Sequence, residues 1–229
     1  MKNALVVRGG WDGHQPVETT NVFIPYLEAN GFNVRIEESP AIYADVEYMA
    51  TVDLIQQTNT MNVITREEFD GLQKAVIAGA GFAGWHGGIA DSYRNNSDYL
   101  QMVGGQFASH PGKAPEERKG EQPDNYMPHT INMTELGKVH PITSGISDFD
   151  LVTEQYWVLH DDYNDVLATT TQKVRPWDAW NREITSPAIW TRNWGKGKIF
   201  VITCGHNLEI VTEKNVRTII ERGLLWASR

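Results

Sequence analysis

The sequence predicts an α/β protein with a mostly parallel, doubly wound sheet, and three observations carry that prediction. Strand and helix signals alternate four times over the first 86 residues, the pattern of a parallel sheet covered by helices on both faces. The stretch GAGFAGWHGG at residues 79–88 reads as a short buried strand that breaks abruptly into a glycine-lined turn. His14, His86, His110 and His206 each follow a predicted strand by no more than a few residues. All four would then stand on one rim of the sheet, beyond the carboxyl ends of its strands, where open α/β folds bind ligands.

Taken in order, residues 4–7 (ALVV) form the first strand, and Arg8-Gly9-Gly10 ends it. Trp11-Asp12-Gly13-His14 makes the loop beyond it. Pro16 opens a helix to about residue 30, kinked at Pro25 and capped by Gly31. FNVRIE at 32–37 alternates as a second strand, 43–50 reads as a short helix, and VDLI at 52–55 starts a third strand. Thr65 and Glu68 have capping-box spacing before a helix whose apolar stripe is Phe69, Leu72, Val76 and Ile77. The central strand and elbow follow at 79–86.

Residues 99–103 read as helix, 106–110 as a short strand ending at His110, and 113–122 as a charged surface excursion. Residues 126–133 form an added strand, and 137–145 (GKVHPITSG) a turn-rich connection. One strand is expected over 150–159, around Glu154, Tyr156 and Trp157, and another over 166–171. The polar, tryptophan-rich 174–186 reads as a long functional loop. Residues 187–191 and 198–203 flank Trp194-Gly195-Lys196-Gly197 as a hairpin, and the second arm ends at Cys204-Gly205-His206. Residues 212–227 close the chain as a helix that buries Val216, Ile219, Ile220 and Leu224.

The 229 residues fit one domain spanning 1–229, because no flexible linker interrupts the composition. An apolar content of 41% supports a sizeable core. A net charge of −9 with no basic cluster argues against nucleic acid. No stretch reaches membrane-spanning length, and the opening apolar run is too short for a signal peptide. A lone cysteine, Cys204, rules out an intrachain disulfide and suits a reducing, cytoplasmic compartment. A homo-oligomer would need an exposed apolar face, which the sequence does not locate.

Histidines grouped with a carboxylate point to a divalent metal such as Zn, Mn or Fe. Glu154, within the apolar-flanked LVTEQYWVL, is the best carboxylate, since a buried glutamate must be paired, hydrogen-bonded or protonated. The expected metal ligands are His86, His206, Glu154 and His110, and the catalytic set is His86, His14, Glu154 and His206. No compact metal motif such as HExxH is present, nor a nucleotide-binding glycine fingerprint, so no nucleotide cofactor is indicated. Trp11, Trp85, Tyr156, Trp180 and Asn181 are candidates for lining a polar, carbohydrate-like ligand. Cys204 reads as a small buried hydrophobe and not a nucleophile, because its neighbours point to opposite faces.

These residues resemble the ThuA-like (trehalose utilisation) family, a branch of the class I glutamine amidotransferase-like superfamily. The matching pieces are RGGWDGH at 8–14, GFAGWHGG at 81–88, GGQFASH at 104–110, HPITSGI at 140–146, TEQYWV at 153–158 and WGKGKIFVITCGH at 194–206. The resemblance implies a flavodoxin-like doubly wound sheet with extra strands. It also implies a cysteine at the elbow of true amidotransferases, where this chain has Trp85 followed by His86, so glutaminase activity is not expected. Relatives are linked to oxidised (keto) glucosides and disaccharides. The leading expectation is an enzyme acting on a keto-sugar or related polyol by metal- or histidine-assisted proton transfer, of isomerase, epimerase or lyase type. The alternatives are a metal-dependent hydrolase using a bound water and a non-catalytic carbohydrate-binding or subunit-type protein.

Overall fold

The computed structural model describes residues 1–229. β1 (Lys2–Gly10) leads through a 3₁₀ turn at Asp12–His14 into α1 (Pro16–Asn21) and α2 (Ile24–Ala29), followed by β2 (Phe32–Glu37). The single helix expected over 16–30 is therefore two. The chain breaks at Val22-Phe23, and Pro25 lies in the first turn of α2, where a missing N–H is harmless. A 3₁₀ segment at Pro40–Ala44 and α3 (Val46–Met49) likewise replace the one short helix expected there, each started by a side-chain cap from Ser39 or Asp45.

β3 (Leu54–Thr60), α4 (Arg66–Ala78), β4 (Gly81–Trp85), α5 (Gly87–Ala90), α6 (Ser97–Val103) and β5 (Gly105–Ser109) come next. α4 starts on the expected capping box between Thr65 and Glu68. Phe69, Leu72 and Val76 are buried on its inner side, but Ile77 is 46% exposed, one position past the stripe.

β6 (Tyr126–Met133), α7 (Glu135–Val139), β7 (Phe149–Glu154), β8 (Trp157–His160), β9 (Asp165–Gln172), β10 (Ile184–Trp194), β11 (Gly197–Ile202), α8 (Leu208–Thr212) and α9 (Lys214–Ala227) complete the chain. The connection after β6 begins as the helix α7, because Thr134 caps it through Gly137 N–H. The strand expected over 150–159 is two strands, β7 and β8, separated at Gln155-Tyr156.

Nine strands share one sheet in the order β2-β1-β3-β4-β11-β10-β9-β6-β7. From β2 to β11 every pair is parallel. From β11 to β7 every pair is antiparallel. Helices cover both faces. One core of 25 buried residues sets Phe23, Leu27, Val216, Ile220 and Leu224 against Trp85, Phe200 and Ile202. The other, of 24, sets Phe69, Leu72, Val76 and Met102 against Leu5, Ile55, Phe82 and Val201. Two cores of nearly equal size mark a sheet wound on both sides. β5 pairs with β8 in a separate two-stranded sheet, so His110 leaves a different sheet from the other three histidines. No helix is long and apolar enough to cross a membrane.

Candidate functional site

The parallel half supplies three histidines from loops that follow β1, β4 and β11. His86 occupies the sharpest turn. Its backbone has φ +50° and ψ −142°, an unfavourable conformation for a side chain other than glycine, of a kind that costs about 1–3 kcal/mol and clusters at functional sites. The elbow residue is thus His86 itself and not Trp85. Its turn is held by His86 N–H donating to Ile202 C=O at 2.7 Å. The glycine that follows is required by close approach, since a Cβ on Gly87 would meet His14 Cε1 at 2.7 Å and Thr60 Cγ2 at 2.9 Å.

The antiparallel half supplies the carboxylate. Glu154 ends β7, and four strands separate β7 from β4 in the sheet. Even so, Glu154 Oε2 lies 3.1 Å from His86 Nε2 and 3.2 Å from His206 Nδ1. The sheet must curl back over its own carboxyl rim to bring them together. His14, His86, Glu154 and His206 are all buried, and one ligand atom from each falls within 4.8 Å of the others.

Hydrogen bonds fix which ring nitrogen faces inward. His86 Nδ1–H donates to Thr203 C=O at 2.7 Å, which turns the Nε2 lone pair to the cluster. His14 Nδ1 bonds Thr60 Oγ1 at 2.9 Å. Burial, and then the neighbouring imidazoles His86 and His206, push His14 down to about 2, so its ring is neutral at physiological pH. Burial likewise lowers His86, against the pull of Glu154. For Glu154, burial acts upward but is outweighed by the close contacts with His206 and His86, which hold the carboxyl well below the usual carboxylate range.

His86 Nε2, Glu154 Oε2 and His206 Nδ1 lie 3.1–3.3 Å apart. With His86 hydrogenated at Nδ1, only one ring hydrogen, on His206, is available among these three acceptors. A divalent cation satisfies such a set, and those separations match the edge of about 3.3 Å of a tetrahedral shell with ligands at about 2.0–2.1 Å. His206 Nε2 is buried without a partner.

A cleft of about 430 Å³ opens onto this cluster. Trp11 lines it, with its ring 4.7 Å from His14, and Tyr156 stacks 4.2 Å from His86. His110 reaches Glu154 from the outer side, with Nε2 3.6 Å from Oε1, and is not one of the four compact ligands. Two other expected residues are elsewhere. Trp85 is buried in the core with its ring 5.0 Å from Phe23, because strand alternation turns it away from the rim. Trp180 packs on Trp157 at 5.1 Å and Asn181 is exposed, and neither lines the cleft.

The sequence reading missed Thr60, Tyr126, Phe107 and the Asp91–Arg94 pair. Arg94 grips Asp91 through two bonds of 2.5 and 2.7 Å at the cleft wall. Only Asp91-Ser92-Tyr93-Arg94, placed directly after the elbow, offered a signal for that pair. Cys204 is buried, and burial pushes its thiol up to about 12, as suits a packing residue.

The trehalose utilisation (ThuA) family model matches residues 3–227. The chain belongs to the ThuA family. Its fold agrees with solved relatives, including a ThuA-like protein from Bacteroides uniformis with 16% identity and a TM-score of 0.70, covering 99% of this chain and 91% of that one. A ThuA-like protein from Parabacteroides merdae gives 14% identity and a TM-score of 0.71, covering 99% and 89%. A cytoplasmic protein from Salmonella typhimurium gives 14% and 0.63 over the full length of both chains. No curated protein matches this chain. The doubly wound sheet is consistent with the class I glutamine amidotransferase-like fold, and in this chain the elbow residue is a histidine.

Proposed function

We propose that this chain, acting as one domain over residues 1–229, is an enzyme of sugar metabolism that moves a proton on a keto-sugar or related polyol. The observation that carries the reading is the convergence of three buried imidazoles and one buried carboxylate at the floor of a cleft. The family's link to trehalose utilisation supplies the sugar class.

In this reading His14, His86, Glu154 and His206 hold a divalent cation, which when bound polarises a substrate carbonyl or enolate oxygen. His110 is the imidazole left outside that group, about a quarter exposed at the cleft wall and within 3.6 Å of Glu154. It is therefore placed to carry a proton between the substrate carbon and solvent. Trp11 offers a half-exposed ring face to a sugar, and Tyr156 holds the His86 ring in place. A cytoplasmic location belongs to the same reading, supported by the name of the Salmonella relative and by the unpaired, buried Cys204.

The test is incubation of the metal-loaded protein with keto-glucosides in heavy water. Deuterium should appear at the carbon beside the carbonyl. Turnover with no solvent deuterium at that carbon, or cleaved fragments alone, would refute proton transfer.

A further inference from the structure

A second cavity lies in the antiparallel half, apart from the histidine cluster. β6 and β9 are neighbours, yet they pair only through Asn132 with Thr169 and Met133 with Ala168. Beyond those residues the strands part, β6 staying with β7 and β9 with β10. Between them is a slot of about 470 Å³ whose walls come from both strands and carry mainly polar residues, with Pro111, Met127 and Pro128 the exceptions.

The slot is built to accept hydrogen bonds. Gln172 is only 3% exposed, and its Nε2 donates to Gln155 C=O at 3.3 Å while its Oε1 has no partner. A buried carboxamide oxygen left in that state is unfavourable unless something donates to it. His129 Nδ1–H donates to Met127 C=O at 2.8 Å, which leaves its Nε2 as an acceptor. Thr130 gives its hydroxyl hydrogen to Asp150 at 2.6 Å, which leaves its oxygen as an acceptor too.

These groups select the ligand. An anion would gain from Lys173 but would meet these acceptors where it needs further donors, since the Arg175 guanidinium is already committed to Asp178 and Gly112 C=O. A cation would meet Lys173 and Arg175 on the lining. An apolar group would strand the Gln172 oxygen. A neutral molecule with several hydroxyls can donate to such acceptors and accept from Lys173. We propose that the slot between β6 and β9 is a second binding site, for a neutral sugar or polyol, distinct from the histidine cleft. It also lies close to that cleft in the chain. Gln155, whose carbonyl anchors Gln172, directly follows Glu154, and Pro111 of the slot directly follows His110 of the cleft.

The test follows the ring-proton NMR signal of His129 in the full-length, metal-loaded protein during titration with glucose, glucose 6-phosphate and glucosamine. Glucose should shift that signal saturably, and the phosphorylated and aminated sugars should bind at least 10-fold more weakly. Q172L, or T171W to fill the slot should Q172L fail to fold, should weaken the glucose response at least 10-fold. W11A, which alters only the cleft, should leave it intact, so loss of the cleft's activity and loss of this site are separable. No saturable shift, a shift retained in the folded slot variants, a shift lost in W11A, or tighter binding of either charged sugar would overturn the proposal.

Discussion

The parallel half of the sheet places its histidines by topology, whereas the antiparallel half places Glu154 by curvature. His14, His86 and His206 each sit just past the carboxyl end of a parallel strand, so three separate chain segments reach one rim without special bending. Glu154 starts from an edge strand separated from β4 by four others and still lies 3.1 Å from His86. The contrast teaches that a parallel α/β core can present ligands almost automatically, while the group that completes them depends on how an appended sheet coils.

If both routes serve one cluster, damage to either half should be equivalent. H86A and E154A should each lower turnover by about a thousandfold or more, and the double variant should be little worse than either single one. Additive losses, with circular dichroism showing native folds, would mean two independent sites.

The next largest effect is on acid stability. His14 is held at about 2 in the folded chain against 6.5 unfolded, so below pH 6.5 the unfolded state binds the proton that the folded state refuses. Metal-free protein should therefore lose about 1.4 kcal/mol per pH unit from His14 as pH falls from 6.5 towards 4.5. The lowered Glu154 adds its own loss only below about pH 4.5. Urea midpoints of EDTA-treated protein across that range check the sign, and H14A should flatten the curve.

T60V removes the hydroxyl that holds His14 at 2.9 Å and should weaken metal binding about 10-fold or more, as loss of a ligand's outer partner commonly does. T65A removes the α4 cap, far from either route. It should cost about 1 kcal/mol in urea unfolding and leave turnover unchanged.

The same contrast explains what could be read from the chain. Periodicity and punctuation located β1, β2, the start of β3, α4 and the β10–β11 hairpin, and so the rim positions of His14, His86 and His206. Glu154 stood out because an acid flanked by apolar residues needs a partner. The break at Gln155-Tyr156 was hidden because no glycine or proline marks it. The separate β5–β8 sheet is equally hidden, since pairing partners distant in sequence leave no local trace, and so the sequence alone groups His110 with the metal ligands. The sequence suggests Trp85 as a ligand-facing ring, but one step of strand alternation turns it into the core.

Metal titration calorimetry of the apoprotein tests the shared cluster most directly. The wild type should take up one equivalent of a divalent ion such as Zn²⁺, and H14A, H86A, E154A and H206A should each lose most of that affinity while H110A keeps it. A wild type that binds no ion, or an E154A variant that binds as tightly as the wild type, would contradict a single centre built from both halves of the sheet.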